Sequence, residues 1–279
     1  MSGSILTNIM VENRRAGRLT LVPFLPAAFP GAETFWTTLT ELAEGGADII
    51  EIGVPFSDPI ADGPQVAEAC RKALENGGSL DYIFRGLAER RGRFRCGLVL
   101  MGYVNPFLQY GWAEAAGRRP QGSVREILAA SLEILAGKLA EAGVAGLIVP
   151  DLPLEESWPW LEALQAHDLD LIALVGPNTS LEKMRTYAAG GGGGYVYVVS
   201  VMGITGVRDG LPPGVVDTLL RARQAFDLPL ALGFGLSSPR QLDNLPAEAR
   251  PEAAVFGSAL IRHLEAGGAA RDFMALWRG

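Results

Sequence analysis

Eight short apolar runs punctuate the chain, and longer stretches with apolar residues at helical spacing lie between them. The runs are LTLVPFL (19–25), DIIEIGV (48–54), CGLVLMGY (96–103), GLIVP (146–150), DLIALVG (170–176), YVYVVSV (195–201), LPLALGF (228–234) and EAAVFGS (252–258). They are rich in Val, Ile, Leu and Ala with little polar alternation, the pattern of parallel strands covered on both faces. Residues 32–45 carry Phe35, Trp36, Leu39, Leu42 and Ala43 on one helical stripe and stop at Gly45-Gly46. Residues 123–142 open at Ser123 with Glu126 three places on, a capping-box spacing, and end at Gly143. TSLEKMRTYAA opens at Thr179 or Ser180, and SSPRQLDNL starts with a Ser cap and Pro239.

Eight strand–helix units in 279 residues predict an α/β fold, a single-domain (β/α)8 TIM barrel. A doubly wound open sheet is the alternative. A helix over about residues 4–16 precedes the first strand, and the connection at about 113–142 is lengthened around GRRPQGS (117–123). The glycine run 190–194 leads into a strand, so it reads as a turn and not as a phosphate-binding loop.

Composition narrows the class. With 48% apolar and 20% charged residues the chain buries a sizeable core, unlike a disordered one. A net charge of −7 with scattered arginines argues against nucleic acid as a partner. No run approaches a membrane span, and Cys70 and Cys96 lack a CxxC spacing, so a cytoplasmic protein is expected.

Candidate chemistry centres on DIIEIGVPFSDPIADGP (48–64). Glu51 lies among Ile residues near the end of a strand, where desolvation raises a carboxyl pKa into the range of a general acid–base; an ion pair with an arginine or a side chain pointing to solvent are the competing readings. Asp62 and Asp58 follow in a loop whose Pro and Gly also favour turns, and Asp151 ends the fourth strand with the same ambiguity. GITG, GFG and FGSA follow strands six, seven and eight. There Gly206, Gly235, Gly257 and Ser258 can present backbone N–H groups to a phosphate, assisted by short helices opening at Ser237 or Ser258. Lys72, Lys138 and Lys183 all lie outside the strands, which leaves a Schiff-base mechanism without a nucleophile. His167 and His263 stand apart in helical segments, so no metal site is expected. What remains is acid–base chemistry by carboxylates on a phosphorylated small molecule.

EIGVPFSDPIADGP resembles the signature of the tryptophan synthase alpha subunit family. LMGYVNP, AGVAGLIVPDLPLEES, YVYVVSVMGITG, GFGLSSPRQ and VFGSAL match the family in order over most of the chain. The resemblance implies a barrel that cleaves indole-3-glycerol phosphate to indole and glyceraldehyde 3-phosphate without cofactor or metal. Indole would then pass to a β subunit in an α2β2 complex. Carried over, Glu51 matches the general acid–base and Asp62 the second catalytic acid. Gly206, Gly235, Gly257 and Ser258 match phosphate ligands, while Phe24, Tyr103, Ile148, Tyr197 and Phe234 match the substrate pocket. Thr205 matches a residue of the mobile loop over the site, and Pro55, Phe56 and Asp58 match a loop that meets the β subunit.

Three departures accompany the match. PAAFP (26–30) stands where the family has Thr-Ala-Gly-Asp-Pro, Ala145 replaces an Asp, and the connection at 113–142 is longer. The altered first loop keeps open a free-standing lyase or a substrate-shifted paralogue. A non-catalytic barrel partner is a further reading, opposed by the retained Glu51, Asp62 and glycines.

Overall fold

A computed structural model describes residues 4–116, 123–200, 211–233 and 235–278. Nine strand segments, all parallel, form one sheet: β1 (Thr20–Pro26), β2 (Ile49–Gly53), β3 (Gly97–Met101), β4 (Gly146–Ile148), β5 (Asp170–Leu171), β6 (Ala173–Val175), β7 (Val196–Val199), β8 (Leu230–Gly233) and β9 (Ala253–Phe256). Their order is β5-β4-β3-β2-β1-β9-β8-β7-β6. The two ends of that order, β5 and β6, are consecutive pieces of one predicted strand, separated by Ile172 alone. Ile172 N–H still donates to Leu147 O at 2.9 Å, so the polypeptide itself closes the ring. The eight predicted strands are therefore all present, with the fifth broken where it changes neighbours. The fold is a single-domain (β/α)8 barrel, and the open-sheet alternative falls away.

The helices form where their local signals predict. α1 is Ile5–Arg15, α2 Ala32–Glu44, α3 Pro64–Glu75, α4 Leu80–Glu89, α5 Val104–Ala116 and α6 Val124–Glu141. They continue with α7 (Trp158–Gln165), α8 (Leu181–Ala189), α9 (Val215–Ala225), α10 (Arg240–Asp243), α11 (Ser258–Glu265) and α12 (Ala270–Arg278). α6 begins with the predicted capping box: the Ser123 hydroxyl accepts from Glu126 N–H, and the Glu126 carboxylate accepts from Ser123 N–H. Ser180 caps α8 through its hydroxyl alone, which accepts from Lys183 N–H, and Gly46 (φ 96°) turns the chain after α2 in a backbone state that a side chain would strain. The expectation of a helix opening at Ser237 is corrected. The Gln241 carboxamide oxygen accepts both Ser237 N–H (2.7 Å) and Ser238 N–H (3.1 Å), which holds those residues in a loop, and α10 spans four residues from Arg240.

α1 seals the end of the barrel opposite the strand C-termini. Leu6 and Met10 are fully buried, and a Cβ added at Gly97 or Gly146, the first residues of β3 and β4, would lie 2.9 or 3.2 Å from Leu6. At the same end Asp170 opens β5. It is 8% exposed, and its Oδ2 lacks a hydrogen-bond partner among the described residues. Burial raises its pKa to about 6, partly offset by a hydrogen bond with Ser4.

The folded-state pKa of Asp170 lies above the unfolded value near 4, so the native protein binds the proton more tightly. Native stability from this group is thus fully present at low pH and is lost as pH rises through about 6. Asp170→Asn is expected to raise the unfolding free energy by roughly 1–2 kcal/mol at pH 8, and the gain should vanish towards pH 4. Urea titrations of both proteins at the two pH values check this.

Candidate active site

The strand register brings one carboxyl into the barrel interior. Glu51 pairs with Phe24 on β1 and Val99 on β3. It has no exposed surface, and the buried Tyr195 hydroxyl donates to its Oε1 at 2.9 Å. Its Oε2 has no hydrogen-bond partner among the described residues. Burial raises the Glu51 pKa to about 8, with the Tyr195 bond pulling in the opposite direction. Among the described residues no arginine pairs with Glu51. In turn, burial and the adjacent Glu51 push the Tyr195 phenol well above its ordinary range, so it serves as a donor.

The second acid comes from the loop between β2 and α3. Asp62 Oδ2 accepts from the Tyr103 hydroxyl at 3.0 Å, and the same hydroxyl oxygen accepts from Ala61 N–H at 2.9 Å. Tyr103 follows β3 and packs against Phe56 in a tilted ring pair with centroids 5.4 Å apart, so one phenol clamps both ends of the loop. Partial burial raises the Asp62 pKa to about 6, and the Tyr103 bond lowers it.

A cavity of about 40 Å³ opens at the C-terminal ends of the strands. Phe24, Asp62, Tyr197, Gly235, Gly257 and Ser258 line it, joined by Val66, Met101 and Val255. Glycines make room for its rings. A Cβ at Gly53 or Gly257 would lie 2.7 or 2.8 Å from Phe24, and one at Gly233 would meet Tyr197 inside contact distance. Gly257 caps α11, whose first residue is Ser258, so the positive end of that helix faces the cavity. Gly235 has φ 93°, a conformation that suits glycine. These features make an anion-accepting rim beside two carboxyls of different acidity.

The other predicted residues separate by position. Ile148 is buried in β4 against Met101 and does not line the cavity. Pro55 is buried, with its Cγ 3.0 Å from where a Gly78 Cβ would stand, whereas Asp58 is exposed and bonded to Ser57. Asp151 resolves as a structural group: its Oδ1 accepts from Val104 N–H (2.9 Å) at the start of α5. Thr205, Gly206 and Phe234 lie outside the described residues. Among the described residues no group of three His, Cys, Asp or Glu is placed to hold a metal ion. Sequence reasoning missed Tyr195, Val66, Met101 and Val255. The Tyr195 signal was a polar residue opening an apolar run, but its partner lies 144 positions away.

The comparisons with known proteins identify the family. The family model for the tryptophan synthase alpha chain matches residues 10–275. A tryptophan synthase alpha chain of Nitratidesulfovibrio vulgaris is 55% identical over 99% of both chains. Another, from Desulfovibrio desulfuricans, is 56% identical over 97% of this chain and 100% of its own. Among solved structures, Mycobacterium tuberculosis tryptophan synthase superposes with a TM-score of 0.82 at 31% identity, covering 99% of this chain and 96% of that one. The match runs through every barrel strand and both carboxyls, and the chain belongs to the tryptophan synthase alpha chain family.

Proposed function

We propose that this chain cleaves indole-3-glycerol phosphate to indole and glyceraldehyde 3-phosphate, as the alpha subunit of a tryptophan synthase. The observation that carries the site assignment is the pair of carboxyls held near one cavity with pKa values of about 8 and about 6. Between those values Glu51 holds a proton while Asp62 is ionised, the division of labour that acid–base catalysis requires.

In the proposed reaction Glu51 donates its proton to C3 of the indole ring, which makes the ring an electron sink. Asp62 accepts a hydrogen bond from the ring N–H and stabilises the positive charge that develops there. The glycerol hydroxyl on the carbon attached to C3 then loses its proton to the Glu51 carboxylate. Electrons of the bond to C3 return to the ring as an aldehyde forms on the departing fragment. Protons balance, and Glu51 ends in its starting state.

Gly235, Gly257 and Ser258 would hold the phosphate through backbone N–H groups and the α11 terminus, with Gly206 as a fourth ligand by resemblance. Phe24 and Tyr197, which line the cavity, would pack about the indole, with Tyr103 holding Asp62 beside it; Ile148, Phe234 and Thr205 join them by resemblance. Tyr195 would position Glu51. For the complex with a β subunit, the exposed loop around Asp58, with Phe56 at its base, supplies the contact surface; Pro55 shapes the loop from beneath. No helix among the described residues is long and apolar enough to cross a membrane. A cytoplasmic setting suits the two free thiols, Cys70 and Cys96.

Indole release from indole-3-glycerol phosphate, measured with and without a β subunit, tests the proposal. Glu51→Gln and Asp62→Asn are each expected to lower turnover by at least ~10²-fold, and full activity in both would refute the assignment. Activity should need Asp62 ionised and Glu51 protonated, so kcat/KM should rise through about pH 6 and fall through about pH 8. Tyr195→Phe removes the bond that lowers the Glu51 pKa. Its alkaline limb should move to higher pH while the acidic limb stays in place.

A further inference from the structure

The glycine run at 190–194 ends immediately before Tyr195, the phenol that donates to Glu51. Gly194 thus shares a peptide bond with the residue that holds the buried acid. Glycine backbone has the most conformations to lose, so the run cannot by itself fix where Tyr195 enters the barrel. Sterics nevertheless demand glycine here. A Cβ at Gly193 would collide with Asp170 Oδ1, and Gly194 holds φ 74° with its Cβ position 3.0 Å from Asp170 Oδ2. The loop therefore lies directly on the side chain that opens β5, at the end of the barrel that α1 seals.

α1 supplies an anchor for this loop. Thr7 lies in the first turn of the helix, where its N–H donates to the Ser4 hydroxyl at 3.1 Å. Its own hydroxyl donates to Gly194 O at 2.6 Å, a bond that joins residues 187 positions apart. The helix is itself held in place by Leu6 and Met10, both fully buried. Within the loop, Gly193 N–H donates to Leu171 O at 3.2 Å.

We propose that Thr7 is a positioning residue for the acid–base group: by holding the Gly194 carbonyl it fixes the backbone from which Tyr195 reaches Glu51. The inference rests on the reading of Glu51 as the acid–base of the reaction. Loss of the Thr7 hydroxyl frees the peptide before Tyr195 and weakens the bond from the phenol to Glu51 Oε1. That bond lowers the Glu51 pKa against burial, so the value rises further above about 8. Tyr195 and Tyr197 are the titratable groups that face Glu51, and its strand partners Phe24 and Val99 carry no charge. Both phenols stay protonated well above their ordinary range, and Asp170, which faces Tyr195, titrates near 6. An alkaline limb near pH 8 therefore reports Glu51.

Thr7→Val keeps the side-chain shape and removes the hydroxyl. The 13Cδ signal of Glu51 in glutamate-labelled protein, identified by its absence in Glu51→Gln, should then titrate roughly 0.3–0.5 pH units higher, within the ~1 unit that loss of the whole Tyr195 bond allows. Thr7→Ser should return it to the position of the unaltered chain. In a Tyr195→Phe background Thr7→Val should move it no further, because the route runs through the phenol. The alkaline limb of indole release should follow the same three outcomes. An unmoved Glu51 titration in folded Thr7→Val overturns the inference, and so does an equal shift with and without the phenol. If Thr7→Val does not fold, Gly193→Ala, whose methyl displaces the loop from Asp170, must produce the shift instead; an unmoved titration there is equally decisive against it. The titration needs no substrate, so a shifted Glu51 in a chain that releases no indole would count against the reaction and leave the positioning role standing.

Discussion

Placing a carboxyl inside the barrel is the constraint around which the rest of the site is arranged. Glu51 has no exposed surface and one hydrogen-bond donor, Tyr195, among the described residues. An ionised carboxylate there would be costly, so burial favours the neutral acid and raises its pKa to about 8. The surrounding packing must therefore be tight enough to exclude water and still leave space for rings. Glycines at 53, 233 and 257 meet that demand, because any side chain there would enter the volume of Phe24 or Tyr197. The acid, the rings and the glycines form one steric unit.

Asp62 obeys a different rule because a loop carries it. Its pKa rises less, to about 6, and its geometry depends on one phenol that also holds the Ala61 amide. Tyr103 is in turn fixed by the end of β3 and by Phe56. Two acids from adjacent parts of one motif thus acquire different acidities because one is set in a strand and the other on a tethered loop. That difference, more than either residue alone, is what acid–base work near neutral pH requires.

Local features were legible in the sequence. The apolar runs predicted all eight strands, and Ser123, Ser180 and Gly46 punctuated helices where expected. Glu51 stood out because a carboxylate in an Ile-rich run contradicts its surroundings. Long-range features were not legible. Nothing in DLIALVG announces a break at Ile172, since it arises where the strand passes from β4 to β7 as a neighbour. Ser237 looked like a cap, but its hydroxyl and its N–H both donate to the Gln241 carboxamide oxygen. Tyr195 read as the start of a strand, and only the closed barrel brings its hydroxyl to Glu51. Val66, Met101 and Val255 are ordinary core residues by pattern, and their place at the cavity comes from tertiary structure.

The PAAFP segment shows how a departure from a family pattern is absorbed. Without the usual Thr and Asp, the loop has no polar side chains with which to tether itself. It is instead anchored by burial: Ala27, Ala28 and Phe29 are at most 1% exposed. Its backbone supplies the rest, with Ala27 N–H donating to Gly53 O and the Ala28 carbonyl accepting from Asn76 at the end of α3. Ala28 holds φ 68°, a conformation that favours glycine, and the packed Phe29 beside it compensates for that strain. α3 begins two residues after Asp62, so the helix that follows the second acid is the one that grips the first loop. Apolar packing and one asparagine thereby connect the first loop to the helix that follows the second acid.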